Sequence, residues 1–393
     1  MVLQFILLLI LDILFYFTLI KRAVLISGKI RPVIFTIAAI HSVLLVIKII
    51  QLLAYKGDIT ANEHIDNMLD LTLLISAGTL PKLLITIASF AGMRLRTKGT
   101  YSVAERTGWI IAGIIVILVL TGTYRGRYNF TTEKVVIPVA GLHPDLCSLR
   151  IVLISDLHLS SFHDNPGKLA RAMKITESLD PDIIVNAGDY VTIGWREMEP
   201  FVETLASAKG RYGSVGIPGN HDTGVYHPFW DENERADNRR KIEDMIKATG
   251  SRYLSDSHTV FSIGEATLSI TGITSAGRIP DIVYGDADLA RPAADTADFA
   301  LLISHDPNYW IENQDKVKHF DLTLAGHTHG FQLGVTAGKL RISPAALMFP
   351  VWNGLKKGDS EFLYVNRGLG TLGFPFRIGM PPEITLIILD GGV

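Results

Sequence analysis

Along the chain, the spacing of apolar and polar positions changes character near residue 125. Before it the apolar runs are long. Met1 to Ile20 carries only Gln4, Asp12 and Thr18 as polar residues, and Val33 to Ala54 has His41 and Lys48 inside it. Met68 to Met93 contains Pro81 and Lys82, and Thr107 to Thr123 is centred on IIAGIIVILVL. A helix needs about 20 apolar residues to cross a bilayer. Four membrane helices over residues 1–125 are therefore expected.

From about residue 131 short β-branched runs alternate with polar helical stretches and Gly/Pro turns, the texture of a layered α/β domain. EKVVIPV, LRIVLISD, DIIVNAGD and YGSVGIPGNHD read as strands. NPGKLARAMKITESL, with Asn165 as N-cap and Pro166 at the first helical position, reads as a helix. MEPFVETLASAKG and NERADNRRKIEDMIKATG also read as helices. HTVFSIGEATLSITGI alternates like a hairpin, and DFALLISHD and FDLTLAGHTHG are two further buried strands.

Composition adds three constraints. The 393 residues include 37 Lys+Arg against 39 Asp+Glu, so no basic excess invites nucleic acid. Mean hydropathy is +0.28, and the excess lies in the first third. The one cysteine, Cys147, excludes an intrachain disulfide and a thiolate metal cluster. A cleaved leader over Met1–Ile20 fits poorly, because the basic residues Lys21 and Arg22 follow the run rather than precede it. Lys21, Arg22, Lys29 and Arg31 in the first loop and Arg94, Arg96, Lys98 and Arg106 in the third put those loops in the cytoplasm. The domain beyond the fourth span is then extracytoplasmic, although Arg125, Arg127 and Lys134 argue the other way. Asp12 and Lys82 lie inside spans, where a charge is expensive. They are read as an intramembrane pair, a polar path for a lipid headgroup, or residues that each face another helix or snorkel to an interface.

The candidate chemistry sits where strands stop. Five apolar runs end in Asp156-Leu-His158, Gly188-Asp189, Gly219-Asn220-His221-Asp222, Ser304-His305 and Gly326-His327-Thr328-His329. In α/β sheets, loops at the carboxyl ends of strands converge on ligands. Alternate residues on an extended backbone point the same way, so Asp156 and His158, or His327 and His329, can approach one ion together. Carboxylates, imidazoles and an amide, with no sulfur, suit manganese, iron or zinc. The set exceeds the needs of one zinc. Two ions about 3.5–4 Å apart that share a carboxylate would use it, clamping the attacking and leaving oxygens of a phosphoryl displacement and lowering the pKa of a water.

This order of motifs resembles the calcineurin-like metallophosphoesterase family over residues 131–393. The closing stretch YVNRGLGTLGFPFRIGMPPEITLIIL resembles that of its bacterial membrane-associated and exported branch. The resemblance implies a four-layer αββα sandwich after the helical membrane region. It also implies a dinuclear site in which Asp156, His158 and His329 bind one divalent ion (Mn, Fe or Zn), Asn220, His305 and His327 bind the second, and Asp189 bridges. His221 would act at the phosphate and protonate the leaving oxygen. Asp222 would orient His221 or simply build the turn. Many members of the branch carry glycine after GHTHG, where this chain has Phe331.

The implied activity is hydrolysis of a phosphodiester or pyrophosphate by an integral protein of a bacterial cell membrane, with a lipid-linked or envelope substrate as one candidate. The alternatives are a tethered hydrolase of soluble nucleotides or monoesters, and a non-catalytic scaffold. His163 and Arg367 are weighed as substrate contacts against a solvated loop and a structural ion pair. Arg235, Arg239, Arg240 and Lys241 read as a wet helix face. LMFPVWNG and GFPF would either line a lipid-facing entrance or pack as core.

Overall fold

The computed structural model describes residues 2–23, 26–94, 102–338 and 340–391, so Arg96 and Lys98 of the topology argument lie outside the described residues. The chain divides into two compact units. One comprises Met1–Asp58, Glu63–Arg125 and Gly373–Phe376; the other comprises Ile59–Asn62, Gly126–Leu372 and Arg377–Val393.

The first unit is helical: α1 (Val2–Arg22), α2 (Arg31–Ala54), α3 (Asn62–Leu74), α4 (Leu80–Arg94) and α5 (Val103–Tyr124). A π-helical turn, Ile75–Thr79, runs α3 into α4. Among the described residues four stretches are long and apolar enough to cross a membrane: Leu3–Arg22, Arg31–Ala54, Glu63–Met93 and Val103–Tyr128. The start of α5 is set by a capping box between Ser102 and Glu105. Arg22 grips the same Glu105 carboxylate with two bonds of 2.5 and 2.7 Å, so one basic residue of the first loop is neutralised locally.

The two charges inside spans meet. Lys82 donates to Asp12, to Ser42 Oγ at 2.9 Å and to the Ala38 carbonyl at 3.2 Å. The sequence readings thus resolve to an intramembrane pair. Removing one partner leaves the other buried and uncompensated, which costs about 3–5 kcal/mol. Lys82→Leu is therefore expected to lower the thermal midpoint in detergent, and the double change Asp12→Leu/Lys82→Leu to recover most of the loss. A midpoint unmoved by the single change would show that the pair carries no weight.

Among the described residues the second unit holds sixteen strands. They begin β1 (Thr131–Pro138), β2 (Arg150–Ile154), β3 (Ile183–Asn186), β4 (Gly213–Gly216) and β5 (Ser251–Tyr253). There follow β6 (Ser257–Ile263), β7 (Ala266–Ile273), β8 (Ser275–Arg278), β9 (Asp281–Tyr284), β10 (Phe299–Ser304) and β11 (Leu322–Ala325). The last are β12 (Val335–Ala337), β13 (Leu340–Ile342), β14 (Gly354–Lys357), β15 (Phe362–Val365) and β16 (Glu383–Asp390). Two six-stranded sheets form, ordered β1-β16-β2-β3-β4-β5 and β14-β15-β11-β10-β7-β6; β8-β9 and β12-β13 are separate ribbons.

Strand alternation builds the layers. Ile151, Leu153, Ile183 and Val185 of the first sheet join Leu268, Ile270, Leu301, Ile303 and Leu324 of the second in one core. Val152, Ile154 and Ile184 face the other way, onto Leu169 and Met173 of α6 (Pro166–Ser178) and onto Ile242 and Ile246 of a later helix, Glu232–Ala248. Leu302 and Leu363 likewise back onto Tyr309 and Trp310. The result is the αββα sandwich expected from the resemblance.

One predicted helix differs. MEPFVETLASAKG is a 3₁₀ stretch, Trp195–Phe201, followed by the single turn α7 (Val202–Leu205). Pro200 has no N–H to bond back four residues, and Glu197 turns its carboxylate onto the backbone N–H groups of Thr192, Ile193 and Gly194.

Candidate metal centre

The candidate site residues of the five motifs lie just beyond the carboxyl ends of their strands: Asp156 and His158 after β2, Asp189 after β3, Asn220 and His221 after β4, His305 after β10, and His327 and His329 after β11. The backbone there is not extended. Asp156, His158, Asp189, His327 and His329 all stand at left-handed φ, between 37° and 72°. This corrects the alternation argument: sharp turns, held by the loops around them, aim these side chains. Such conformations cost about 1–3 kcal/mol each and collect at functional sites. The loops approach closely. A Cβ on Gly188, whose φ is +95°, would fall 2.6 Å from the backbone nitrogen of Gly219. One on Gly326 would fall 2.5 Å from Asp156 Oδ2.

The side chains gather into two buried triads, Asp156–His158–His329 and Asp189–His305–His327, with the potential ligand atoms of each within 4.8 Å of one another. His327 and His329 therefore face different triads. One atom ties the two together: Asp189 Oδ2 lies 3.5 Å from His158 Nε2 and 3.1 Å from His305 Nε2. In the first triad His158 Nε2 and His329 Nε2 are 3.1 Å apart, and His329 Nε2 is 3.4 Å from Asp156 Oδ1.

These donors suit a cation. Asn220 Oδ1 and His327 Nε2 are buried and make no hydrogen bond among the described residues, a costly state unless something else satisfies them. The opposite edges are fixed. His305 Nδ1 donates to the Ala187 carbonyl at 2.7 Å, and His158 Nδ1 lies 3.3 Å from Thr192 Oγ1, the arrangement that orients metal-binding imidazoles. Burial lowers the pKa of His158 to about 3 and that of His327 to about 4, and holds His329 well below its ordinary value. Neutral imidazole is the form a metal requires. Burial opposes the charge on His305 too, but Asp189 outweighs it and raises that pKa to about 10. Burial pushes Asp156 up to about 6. Asp189 stays well below the carboxylate range because His305 and His221 overcome the effect of burial.

His221 stands beside the first triad, its ring edge-on to His158 at 5.0 Å. Its Nδ1 donates to the Thr192 carbonyl at 2.7 Å, and Tyr226 stacks on its face at 3.8 Å, leaving Nε2 as the working nitrogen. Thr192 and Tyr226, rather than Asp222, orient it. Asp222 accepts from the N–H groups of Gly219, Asp189 and Val191 at 2.8, 2.9 and 3.0 Å, and from Tyr190 at 3.3 Å. It is the turn builder of the two readings.

Arg367 is a structural ion pair. It is fully buried, donating to Glu383 at 2.5 Å and to Glu133 at 3.0 Å. Arg239, Arg240 and Lys241 pair with Glu232 and Asp237 on an exposed helix face. His163 closes the turn after His158 at a φ of 53°. LMFPVWNG divides: Phe349 and Trp352 pack with Ala345 and Met380, whereas Leu347 and Met348 are exposed. In GFPF, Phe374 is exposed and stacks on the buried Phe376. Phe331 is 43% exposed and holds a left-handed φ of 55°, a conformation that strains a bulky side chain.

Arg377 was not singled out from sequence. Fully enclosed, it donates to the carbonyls of Gly370 and Arg367 at 2.7 and 2.9 Å and reaches His329 Nδ1 at 3.4 Å, pinning the loop behind that histidine. Its one sequence signal is a lone basic residue amid apolar neighbours. Ser155 and Asn366 were also missed. Ser155 Oγ touches both Asp156 and Asn366, at 2.5 and 2.9 Å.

The chain carries a calcineurin-like metallophosphoesterase domain: the sequence profile of the calcineurin-like phosphoesterase family matches residues 149–331. By class, the matched profile is that of a phosphoesterase family. The chain is 30% identical over 285 residues to a zebrafish (Danio rerio) transmembrane protein with metallophosphoesterase domain, an alignment covering 70% of this chain and 61% of the relative. It is 26% identical over 288 residues to an uncharacterised metallophosphoesterase of Aquifex aeolicus, covering 70% and 98%. It is 26% identical over 243 residues to the Escherichia coli phosphodiesterase YaeI, covering 61% and 82%. The four apolar helices and the zebrafish relative mark the protein as membrane-associated.

Proposed function

We propose that the protein is a membrane-anchored, dinuclear-metal phosphohydrolase that cleaves a phosphodiester or pyrophosphate bond. The observation that carries this reading is the position of Asp189 Oδ2 between His158 and His305, one carboxylate oxygen shared by two triads. Asp156, His158 and His329 would hold one divalent ion and Asn220, His305 and His327 the other, with Asp189 bridging. Such a pair, when bound, supplies charge neutralisation at phosphorus and a water acidic enough to react near neutral pH. His221 Nε2 then passes a proton to the leaving oxygen, its ring held by the Thr192 carbonyl and Tyr226. The buried ring of Phe349 packs edge-on against His327 and covers that side of the site. A non-catalytic scaffold is disfavoured because every candidate ligand position is filled.

The four spans favour a lipid-linked or envelope phosphate as substrate, in a bacterial cell membrane with the catalytic domain outside the cytoplasm. A test is metal analysis of the purified full chain, followed by turnover of bis(p-nitrophenyl) phosphate, a polyprenyl pyrophosphate and p-nitrophenyl phosphate. About two ions per chain are expected, with chelation abolishing turnover and Mn²⁺ restoring it. The diester or pyrophosphate should be preferred. Metal-independent turnover, or a monoester preference, would overturn the reading. A reporter fused after residue 393 reads the side of the membrane.

A further inference from the structure

The β12–β13 hairpin is built inside out. Its register pairs Val335 with Ile342, Thr336 with Arg341 and Ala337 with Leu340. Side chains alternate across a strand, so Val335, Ala337, Leu340 and Ile342 share one face and Thr336 and Arg341 the other. In water the apolar face of such a ribbon belongs against the core. Here the polar face is the one fastened to the domain. Thr336 Oγ1 donates to the Gly379 carbonyl at 2.8 Å, and Arg341 donates to Glu133 at 2.5 Å and to Asn353 Oδ1 at 3.0 Å. The apolar side chains point away, with Val335 and Leu340 each 57% exposed and Ile342 58%.

The ribbon joins neither large sheet, and a lone two-stranded hairpin is marginal in water. Five residues beyond Ile342, Leu347 is 89% exposed. Two residues later Phe349 sets its ring edge-on to His327 at 5.5 Å, so the patch and the metal centre share one short segment. Contiguous exposed apolar surface of this kind marks an interaction face.

We propose that this face docks on a lipid bilayer, with the side chains of Val335, Leu340, Ile342 and Leu347 entering the boundary between headgroups and acyl chains. Two observations favour a bilayer over a protein partner. Residues 125–130 alone separate Tyr124, the last residue of the apolar helix α5, from Thr131, the first of β1. That tether reaches about 20 Å, so the domain never leaves the neighbourhood of a membrane. Arg341 is fastened to Glu133, the third residue of β1, so the hairpin lies at the end of the domain where the tether enters. An apolar face carried by a polar back matches a monotopic membrane contact. The proposal and its labelling test are independent of the hydrolytic reading; only the activity readout rests on it.

The test uses the full chain with Cys147→Ser. Single cysteines replace Val335, Leu340 or Leu347, with Ser262 on β6 as an exposed control, each labelled with an environment-sensitive nitrobenzoxadiazole dye. Reconstitution is into phosphatidylcholine–phosphatidylglycerol vesicles with and without acyl-chain nitroxide lipid. Blue-shifted emission and nitroxide quenching at 335, 340 and 347, but not at 262, are expected. Quenching by aqueous iodide equal to that at 262 would overturn the proposal. So would a blue shift without nitroxide quenching that grows with protein density, which would assign the face to a second copy. As an activity readout, Val335→Asp/Leu340→Asp should slow turnover of a bilayer-borne phosphodiester about tenfold and leave a water-soluble diester unchanged. Equal rates of wild type and variant on both substrates would count against docking.

Discussion

Replacing Asp189 by asparagine is expected to reduce turnover by about 10³-fold or more and to lower the bound metal content, while the chain still folds. The side chain keeps its shape but loses the charge that both triads face. Asp189 Oδ1 accepts the backbone N–H of His221 at 2.9 Å, and an amide oxygen in that place would preserve the bond and the loop. The amide nitrogen would then replace Oδ2, pointing N–H donors where the carboxylate faced His158 and His305. An N–H donor cannot ligate a cation. Metal analysis, turnover of a soluble diester and a thermal scan on one preparation would read all three effects. Turnover within tenfold of wild type would refute the dinuclear arrangement.

The second large effect is on stability. Asp222→Ala removes the acceptor for four backbone N–H groups drawn from two different loops. Hydrogen bonds to a charged group contribute about 1.5–3 kcal/mol each, and buried donors left without partners add their own penalty. These contributions are not additive, but a loss of about 4 kcal/mol is a large share of a typical 5–15 kcal/mol. A midpoint lowered by about 8–16 °C follows for a domain of this size. Asp222→Asn should be milder, since its amide oxygen can still accept two bonds. A variant with an unchanged midpoint and no activity would instead show Asp222 acting on His221.

Much of the candidate site could be read from sequence because its chemistry is concentrated in short runs. Gly219-Asn220-His221-Asp222 and Gly326-His327-Thr328-His329 each place scarce residue types at the end of an apolar run, and strand ends converge. The layered α/β organisation was legible for the same reason, from short apolar runs such as that of β2 alternating with helical stretches, whereas the αββα sandwich came from the family resemblance. What stayed hidden depends on distant contacts. Left-handed turns at Asp156 and His158 replace the extended backbone that alternation assumed, since the loops enforce them from outside. Arg377 becomes a support for His329 only once the chain has folded back over residues 367–370. Arg367 reads like a phosphate ligand until Glu133, over two hundred residues away, is seen beside it. The inside-out hairpin also alternates properly; its sequence pattern cannot say which face turns outward.

The position of β16 has a consequence in time. This strand lies between β1 and β2, pairing Thr131 with Glu383 and Ile151 with Ile387. Both neighbours are synthesised long before it. At about 5–20 residues per second, β1 waits roughly ten to fifty seconds for its partner to leave the ribosome. Throughout that interval the β2 edge is unpaired, a template for wrong pairing. The sheet that carries Asp156 and Asp189 can therefore close only after residues 383–390 have been made, and nascent chains halted before residue 383 should depend on chaperones to stay soluble.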